Sequence, residues 1–255
     1  MPRYFLEISY KGTRYSGFQV QRNAHTIQAE VEKALKILYR GDIRLTGSSR
    51  TDAGVHALQN FFHFDTDLQL YDIPGIADPG QAVYKLNAIL PGDIVIRRLF
   101  PVGSETHCRF DALGRVYKYY IYRRKDPFLE DRAFYFPYSM DMNKLQEAAG
   151  IIKEYDDFTS FSRRNTQVKT FRCKVEHSVW EWEKDCLIYN VQADRFLRGM
   201  VRALVATMLL AGRGKISLGE FRQIIEARDC TRASFAVPAH GLFLVSVLYP
   251  DGIAG

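Results

Sequence analysis

The chain has 255 residues, 47% of them hydrophobic and 25% charged, and carries a formal net charge of +6, with a sequence pI near 9.1. That balance supports a packed core and excludes a disordered or collagen-like chain. The basic excess favours a polyanionic partner, nucleic acid first, without requiring one.

The start, Met1-Pro2-Arg3-Tyr4, lacks a basic stretch followed by an apolar one, so no secretory leader is expected. Residues 4–10 read as a strand, and Lys11-Gly12-Thr13 turns the chain. Thr26 then offers an N-cap to a helix whose apolar positions, Ile27, Val31, Leu35 and Leu38, recur at helical spacing. A short strand is expected over 43–46, a loop over 48–55 and an aromatic-rich strand over 58–64. A helix over 80–90 ends at Pro91-Gly92-Asp93, ahead of a strand over 94–99.

A second unit follows. Residues 115–122 read as a strand, and Asp141 caps a helix carrying Leu145, Ala148, Ala149 and Ile152. Strands over 175–182 and 187–191 form a hairpin across Glu183-Lys184-Asp185. A long helix is predicted over 195–211, and Ser217 with Glu220 makes a capping box for the next. Residues 242–248 close the chain as a strand. The pattern is that of an α+β protein with two similar halves, each an antiparallel sheet backed by helices, divided as 1–105 and 106–255.

The four cysteines, Cys108, Cys173, Cys186 and Cys230, show no C-x-x-C spacing. Neither a zinc site nor a thioredoxin-type pair is suggested, and reduced thiols in the cytoplasm are expected. His56, His63 and His107 lack helical ligand pairing, so no metal is assigned to them. The most apolar helical stretch, 200–211, is too short to span a membrane and carries Arg202.

The run Gly47-Ser48-Ser49-Arg50-Thr51-Asp52-Ala53-Gly54-Val55-His56-Ala57 holds the densest chemistry. A lone Asp-x-Gly is an ordinary turn whose carboxylate bonds the backbone ahead of it. Here a carboxylate, an arginine, hydroxyls and an imidazole share one short loop between strands, and such crowding marks a site more often than a connector.

Arg50-Thr51-Asp52-Ala53-Gly54-Val55-His56-Ala57 resembles the signature of the TruA-type family of tRNA pseudouridine synthases, with Ser49 standing where many relatives have Gly. The run Tyr10-Lys11-Gly12-Thr13-Arg14-Tyr15-Ser16-Gly17-Phe18-Gln19 resembles the family's opening, from which Lys11 and Phe18 depart. Similar matches, in order, are Leu86 to Ile94, His107-Cys108-Arg109-Phe110-Asp111-Ala112, Asp157 to Phe161, Met200-Val201-Arg202 and His240-Gly241-Leu242, so the likeness spans nearly the whole chain. It implies halves of the RRM or ferredoxin-like kind with the active-site cleft between them. It implies isomerisation of uridine to pseudouridine in the anticodon stem-loop, positions 38, 39 and 40, by a cytoplasmic homodimer acting on tRNA without a cofactor.

The same resemblance gives Asp52 the role of nucleophile, by attack at C1′ or C6 or through a glycal route. It makes Arg202 the guanidinium that opposes the rise in pKa a buried carboxylate otherwise suffers. Arg195, Arg198 and Arg202 would share one face of the 195–211 helix. Tyr117 resembles the family tyrosine that stacks on the target base, whereas Tyr119 and Tyr120 compete with it as plain packing. Arg50, His56, Arg14 and Arg198 are further candidates for substrate contact. Basic side chains in a polar loop over 162–172 would meet phosphates, since A-form RNA is read by shape and backbone.

Two other classes compete. A silent RNA-binding protein of the same fold has no reason to keep Asp52, Arg202 and Tyr117 together. A glycosidase or nucleoside hydrolase usually needs two carboxylates. The departures at Lys11 and Phe18 leave another RNA position open.

Overall fold

Strand β1 (Arg3–Tyr10) is the centre of the first unit. Its sequence, RYFLEISY, sets Tyr4, Leu6, Ile8 and Tyr10 on one face and Arg3, Phe5, Glu7 and Ser9 on the other, and seven of its eight residues are buried. The computed structural model describes residues 1–67, 70, 74–164 and 168–253. β1 pairs antiparallel with β3 (His56–Asp65) on one side and β4 (Ile94–Val102) on the other. Its one buried carboxylate, Glu7, is met by Arg98 Nε at 2.6 Å and Gln59 Nε2 at 3.0 Å.

Helix α1 (Ile27–Tyr39) starts where Thr26 Oγ1 accepts from Ala29 N, and it buries Ile27, Val31, Ala34 and Leu35. Helix α2 (Pro79–Ile89) is capped by Asp78, with proline in its first turn where a missing N–H costs nothing. Asn87 of α2 bonds both the N–H and the C=O of Ile96, at 2.8 and 2.9 Å, satisfying the backbone of β4 beyond its partner strand. The short strand β2 (Thr46–Gly47) pairs with Phe62 and His63.

The expected strand over 43–46 is thus reduced to a two-residue pair shifted toward its end. The cause lies in α1: Leu45 N donates to Glu32 Oε1 and Leu45 O accepts from Gln28 Nε2, so helix side chains take the bonds a ladder would have used.

In the second unit, β5 (Gly114–Tyr122) pairs antiparallel with β8 (Cys186–Ala193), which pairs with β7 (Val175–Glu183). The β7–β8 hairpin turns at Lys184, whose φ is +54°. An unexpected two-residue strand, β6 (Phe134–Tyr135), runs parallel to the end of β5. Helix α3 (Met142–Ile152) is capped by Asp141, and its Gln146 bonds both backbone groups of Trp180, as Asn87 does for Ile96 in the first unit.

Helix α4 (Met200–Gly212) is buried almost all round, as its nearly unbroken apolar sequence requires. It begins five residues later than the 195–211 pattern suggests. Gly199 has φ +76°, outside the helical region, so Arg195 and Arg198 precede the helix and do not share a helical face with Arg202. Helix α5 (Leu218–Glu226) opens with the expected Ser217–Glu220 capping box. The last strand is β9 (Leu242–Leu248).

The compact units comprise Met1–Leu113 with Leu244–Gly255, and Gly114–Phe243, a division that differs from 1–105 and 106–255. Hydrogen bonds explain the return of the C-terminal segment to the first unit. Leu113 N donates to Leu248 O at 2.8 Å, Val247 N donates to Gln59 Oε1 at 3.1 Å, and the Tyr249 ring packs edge-on against Phe61. Among the described residues no helix is long and apolar enough to cross a membrane.

Candidate active site

The loop between β2 and β3 carries Asp52, and buried polar groups hold it in place. Ser48 N donates to Phe61 O at 2.8 Å, which ties the loop's start to β3. Asn60, fully buried within β3, donates from Nδ2 to Ser49 O at 2.8 Å and to Tyr10 Oη at 3.2 Å, while its Oδ1 accepts from Phe61 N at 2.9 Å. Tyr10 Oη in turn lies 2.7 Å from Thr51 Oγ1. Thr51 O accepts from Phe18 N at 3.1 Å. Each such bond is worth about 1 kcal/mol net, but orphaning one buried partner costs about 1–3 kcal/mol. A buried network with its members satisfied is stiff, and the loop inherits that stiffness.

Asp52 itself opens a β-turn in which Val55 N donates to Asp52 O at 3.2 Å and Gly54 takes φ +80°. The third position of such a turn needs positive φ, which explains a glycine there. Gly17 presses on the turn from outside. Its φ is +103°, and a Cβ on it would sit 3.1 Å from Thr51 O, 3.4 Å from Ala53 N and 3.6 Å from the carbonyl carbon of Asp52. Asp52 is half-buried. A carboxylate on a backbone fixed from three directions is a pre-organised group of the kind a catalytic nucleophile requires.

The other candidates from the first unit surround this turn in different ways. His56 is buried, and its Nδ1 accepts from Gly12 N at 3.0 Å. This contact locks the 10–13 turn against β3, with the Gly12 Cα so close to Val55 that no side chain fits. Arg14 is clamped to Asp93 through Nε at 2.8 Å and Nη2 at 2.6 Å, and Tyr15 Oη donates to the same carboxylate at 2.6 Å. Burial pushes the Asp93 carboxyl up, but the Tyr15 hydroxyl and the Arg14 guanidinium outweigh it and hold it below the usual carboxylate value. The Arg14 side chain is still 71% exposed, so its charge is held at the surface.

Arg50 is exposed and lines a cleft of about 210 Å³ with Phe18, Gly47, His107, Arg109 and Phe110. His107 also belongs to a cluster in which His63, His107 and Cys108 bring their ligand-type atoms within 4.8 Å of one another. Their hydrogen bonds give the cluster a structural use. His63 Nδ1 accepts from Cys108 N, Cys108 Sγ donates to Thr46 O, and His107 Nδ1 accepts from Arg109 N at 3.1 Å and Phe110 N at 3.4 Å. A metal on the far nitrogen of His107 would want a proton on Nδ1, which those two N–H groups oppose. Burial, with the neighbouring His107 and Arg3, lowers the His63 pKa to about 4.

The second unit holds the remaining candidates. Tyr117 lies in β5, half-buried, its ring edge-on to Phe196 at 5.1 Å. Tyr119 is fully buried and donates to Pro238 O at 2.8 Å, so it is a packing residue. Arg202, half-buried in the first turn of α4, donates from both Nε (3.1 Å) and Nη2 (2.6 Å) to Val237 O. Arg198 is exposed in the segment before α4, and its carbonyl accepts from Arg163 N at 3.0 Å. The 162–172 loop is described only in part, since residues 165–167 lie outside the described residues.

A family model described as tRNA pseudouridine synthase matches residues 8–111 and 154–250. The chain belongs to this family of isomerases. Over 251 residues it is 43% identical to tRNA pseudouridine synthase A of Parabacteroides distasonis, covering 98% of this chain and 97% of that one. It is 43% identical over 252 residues to the protein of the same name in Bacteroides fragilis, with 98% of each covered. The corresponding figure for Staphylococcus saprophyticus is 37% over 247 residues, 96% of this chain and 90% of that one.

Two departures from the family's opening motif now have locations. Lys11 is exposed, whereas Phe18 is buried and stacked on Phe62 with centroids 4.6 Å apart. The second departure therefore alters packing under the loop. Asn60 was not among the expected site residues. Its signal was an amide within an aromatic strand, a residue type that strands disfavour unless it has a task.

Proposed function

We propose that this synthase isomerises uridine to pseudouridine in the anticodon stem-loop of tRNA, at positions 38, 39 and 40, with Asp52 as nucleophile. The observation that carries the proposal is the Asp52 turn, fixed by Gly17, Asn60, Tyr10 and Thr51 in a chain of this family. In the reaction the N1–C1′ bond of the nucleotide breaks and a C5–C1′ bond replaces it. The C5 proton leaves to solvent and N1 gains one, so atoms and electrons balance without a cofactor. Asp52 supplies an electron pair to the reaction, whether it adds to C1′ of the sugar, adds to C6 of the base or takes a proton on a glycal route.

Arg202 is assigned to keep that carboxylate ionised. Its guanidinium is already oriented by the two bonds to Val237 O, which a lysine has no geometry to reproduce. Tyr117 is assigned to stack on the extruded uracil, which limits the base's motion after flipping at a cost of a few kcal/mol. Arg14, Arg50 and Arg198 bind the RNA. His56 acts beneath the site by holding the Gly12 turn. The enzyme works in the cytoplasm as a homodimer.

Incubation with an unmodified tRNA carrying uridines at 38, 39 and 40, followed by mapping of pseudouridine, tests the proposal. Modification confined to those positions is expected. Modification elsewhere, with those three untouched, overturns the assigned substrate position. Sedimentation of the purified protein at twice the chain mass is expected for the homodimer, and a single-chain mass at working concentration refutes it.

A further inference from the structure

The cleft beside Arg50 combines features that a structural turn does not need. Phe110 is 73% exposed, a large apolar ring standing in water. It is nonetheless held firmly. Phe110 N and Arg109 N both donate to His107 Nδ1, Asp111 N donates to His107 O, and His107 N donates to Asp111 Oδ2 at 2.9 Å. The His107 ring lies 4.2 Å from the Phe110 ring, and the His63–Cys108 pair fixes the base of the turn. The Arg109 guanidinium carbon sits 5.8 Å from the Phe110 centroid.

A rigid, exposed aromatic that shares a cleft with two arginines suits a nucleotide. A nucleobase stacks on an aromatic face whatever its identity, and guanidinium groups take the adjoining phosphates. The size agrees, because about 210 Å³ is below the range of roughly 300–1,000 Å³ for pockets that enclose a whole small ligand. One unit of a polymer needs less enclosure, since its neighbours are bound elsewhere.

We infer that the cleft lined by Arg50, His107, Arg109 and Phe110 is an RNA subsite, with one unpaired base of the substrate stacked on Phe110 and its phosphate held by Arg109 and Arg50. The inference rests on the reading of this chain as a tRNA-modifying enzyme and adds a binding position apart from the Asp52 turn.

The test compares Phe110→Ala, Phe110→Tyr and Arg109→Gln with the parent and with Tyr84→Ala, an equally exposed aromatic (76%) on α2. Dissociation constants for unmodified tRNA are read by filter binding over a salt series, and tritium release from C5-labelled tRNA is followed in parallel. Phe110→Ala is expected to raise Kd about 5- to 150-fold, the equivalent of one lost base stack. Phe110→Tyr restores binding, and Tyr84→Ala leaves it unchanged. Arg109→Gln flattens the slope of log Kd against log salt by about 0.7–0.9, one phosphate contact.

A parent-like Kd for Phe110→Ala and a parent-like slope for Arg109→Gln overturn the subsite, while tritium release by the parent leaves the enzymatic reading standing. If the parent binds tRNA and releases no tritium, the enzymatic reading fails and the Kd series still decides the subsite. If the parent binds no tRNA, both fall.

Discussion

Replacing Gly17 with alanine adds one methyl group behind the Asp52 turn without touching the Asp52 side chain. At φ +103° an alanine is strained by about 1–2 kcal/mol. The new Cβ also stands 3.1 Å from Thr51 O, so the turn must retreat by a few tenths of an ångström. Since a misplacement of about 1 Å costs roughly 10²-fold in rate, a shift of this size is expected to lower kcat about 3- to 10-fold. Global stability should fall by about 1–3 kcal/mol, leaving a folded protein at 25 °C. The assay is kcat for tritium release at saturating tRNA, together with urea unfolding of the same preparation. Gly150→Ala is the comparison, because its Cβ meets nothing within 4 Å in the helix α3. That change should stabilise by about 0.5–1 kcal/mol and leave kcat alone. A Gly17→Ala enzyme that loses stability yet keeps the parental kcat refutes the claim that Gly17 positions the turn.

Other perturbations test neighbouring parts. Asn60→Leu removes the donor to Ser49 O and the acceptor for Phe61 N inside a dry strand; unfolding in urea should show a loss of about 2–4 kcal/mol. His63 has its pKa lowered to about 4 by burial first and by neighbouring charge second. Its folded pKa lies below its unfolded one, so its contribution is complete above pH ~6.5 and is lost as pH falls toward 4. That loss is at most about 3 kcal/mol, and it should vanish from the pH 7 to pH 4.5 stability difference in His63→Gln. Tyr117→Phe should keep base stacking and most of the tRNA affinity, while Tyr117→Ala raises KM by about 5-fold or more; equal KM values for the two variants count against a stacking role.

What the sequence disclosed depended on the range of the interaction. Thr26, Asp141 and the Ser217–Glu220 box act on backbone groups two or three residues away, and all three caps are where local chemistry puts them. Helix α4 starts later than the apolar periodicity implies, because that periodicity runs back through Phe196 while the backbone breaks at Gly199, a constraint written in φ and not in hydrophobicity. The 43–46 strand was lost to Gln28 and Glu32, side chains from a helix that periodicity alone does not place beside it. At the candidate site, Asp52 stood out through its crowded loop. The reasons it is held still did not, because Tyr10 and Gly17 come from 35 residues or more earlier in the chain and Asn60 from the adjoining strand, and only the fold brings them together.

The central claim, that Asp52 carries the chemistry, is tested most directly by tritium release. Unmodified tRNA labelled at C5 of uridine is incubated with the parent and with Asp52→Ala, each shown to be folded and to bind tRNA. Forming the C5–C1′ bond expels the label, so release by the parent and none by the variant is the predicted result. Release by both at similar rates contradicts the account, since the turn that Gly17, Asn60 and Tyr10 hold in place would then present a residue the reaction does not need.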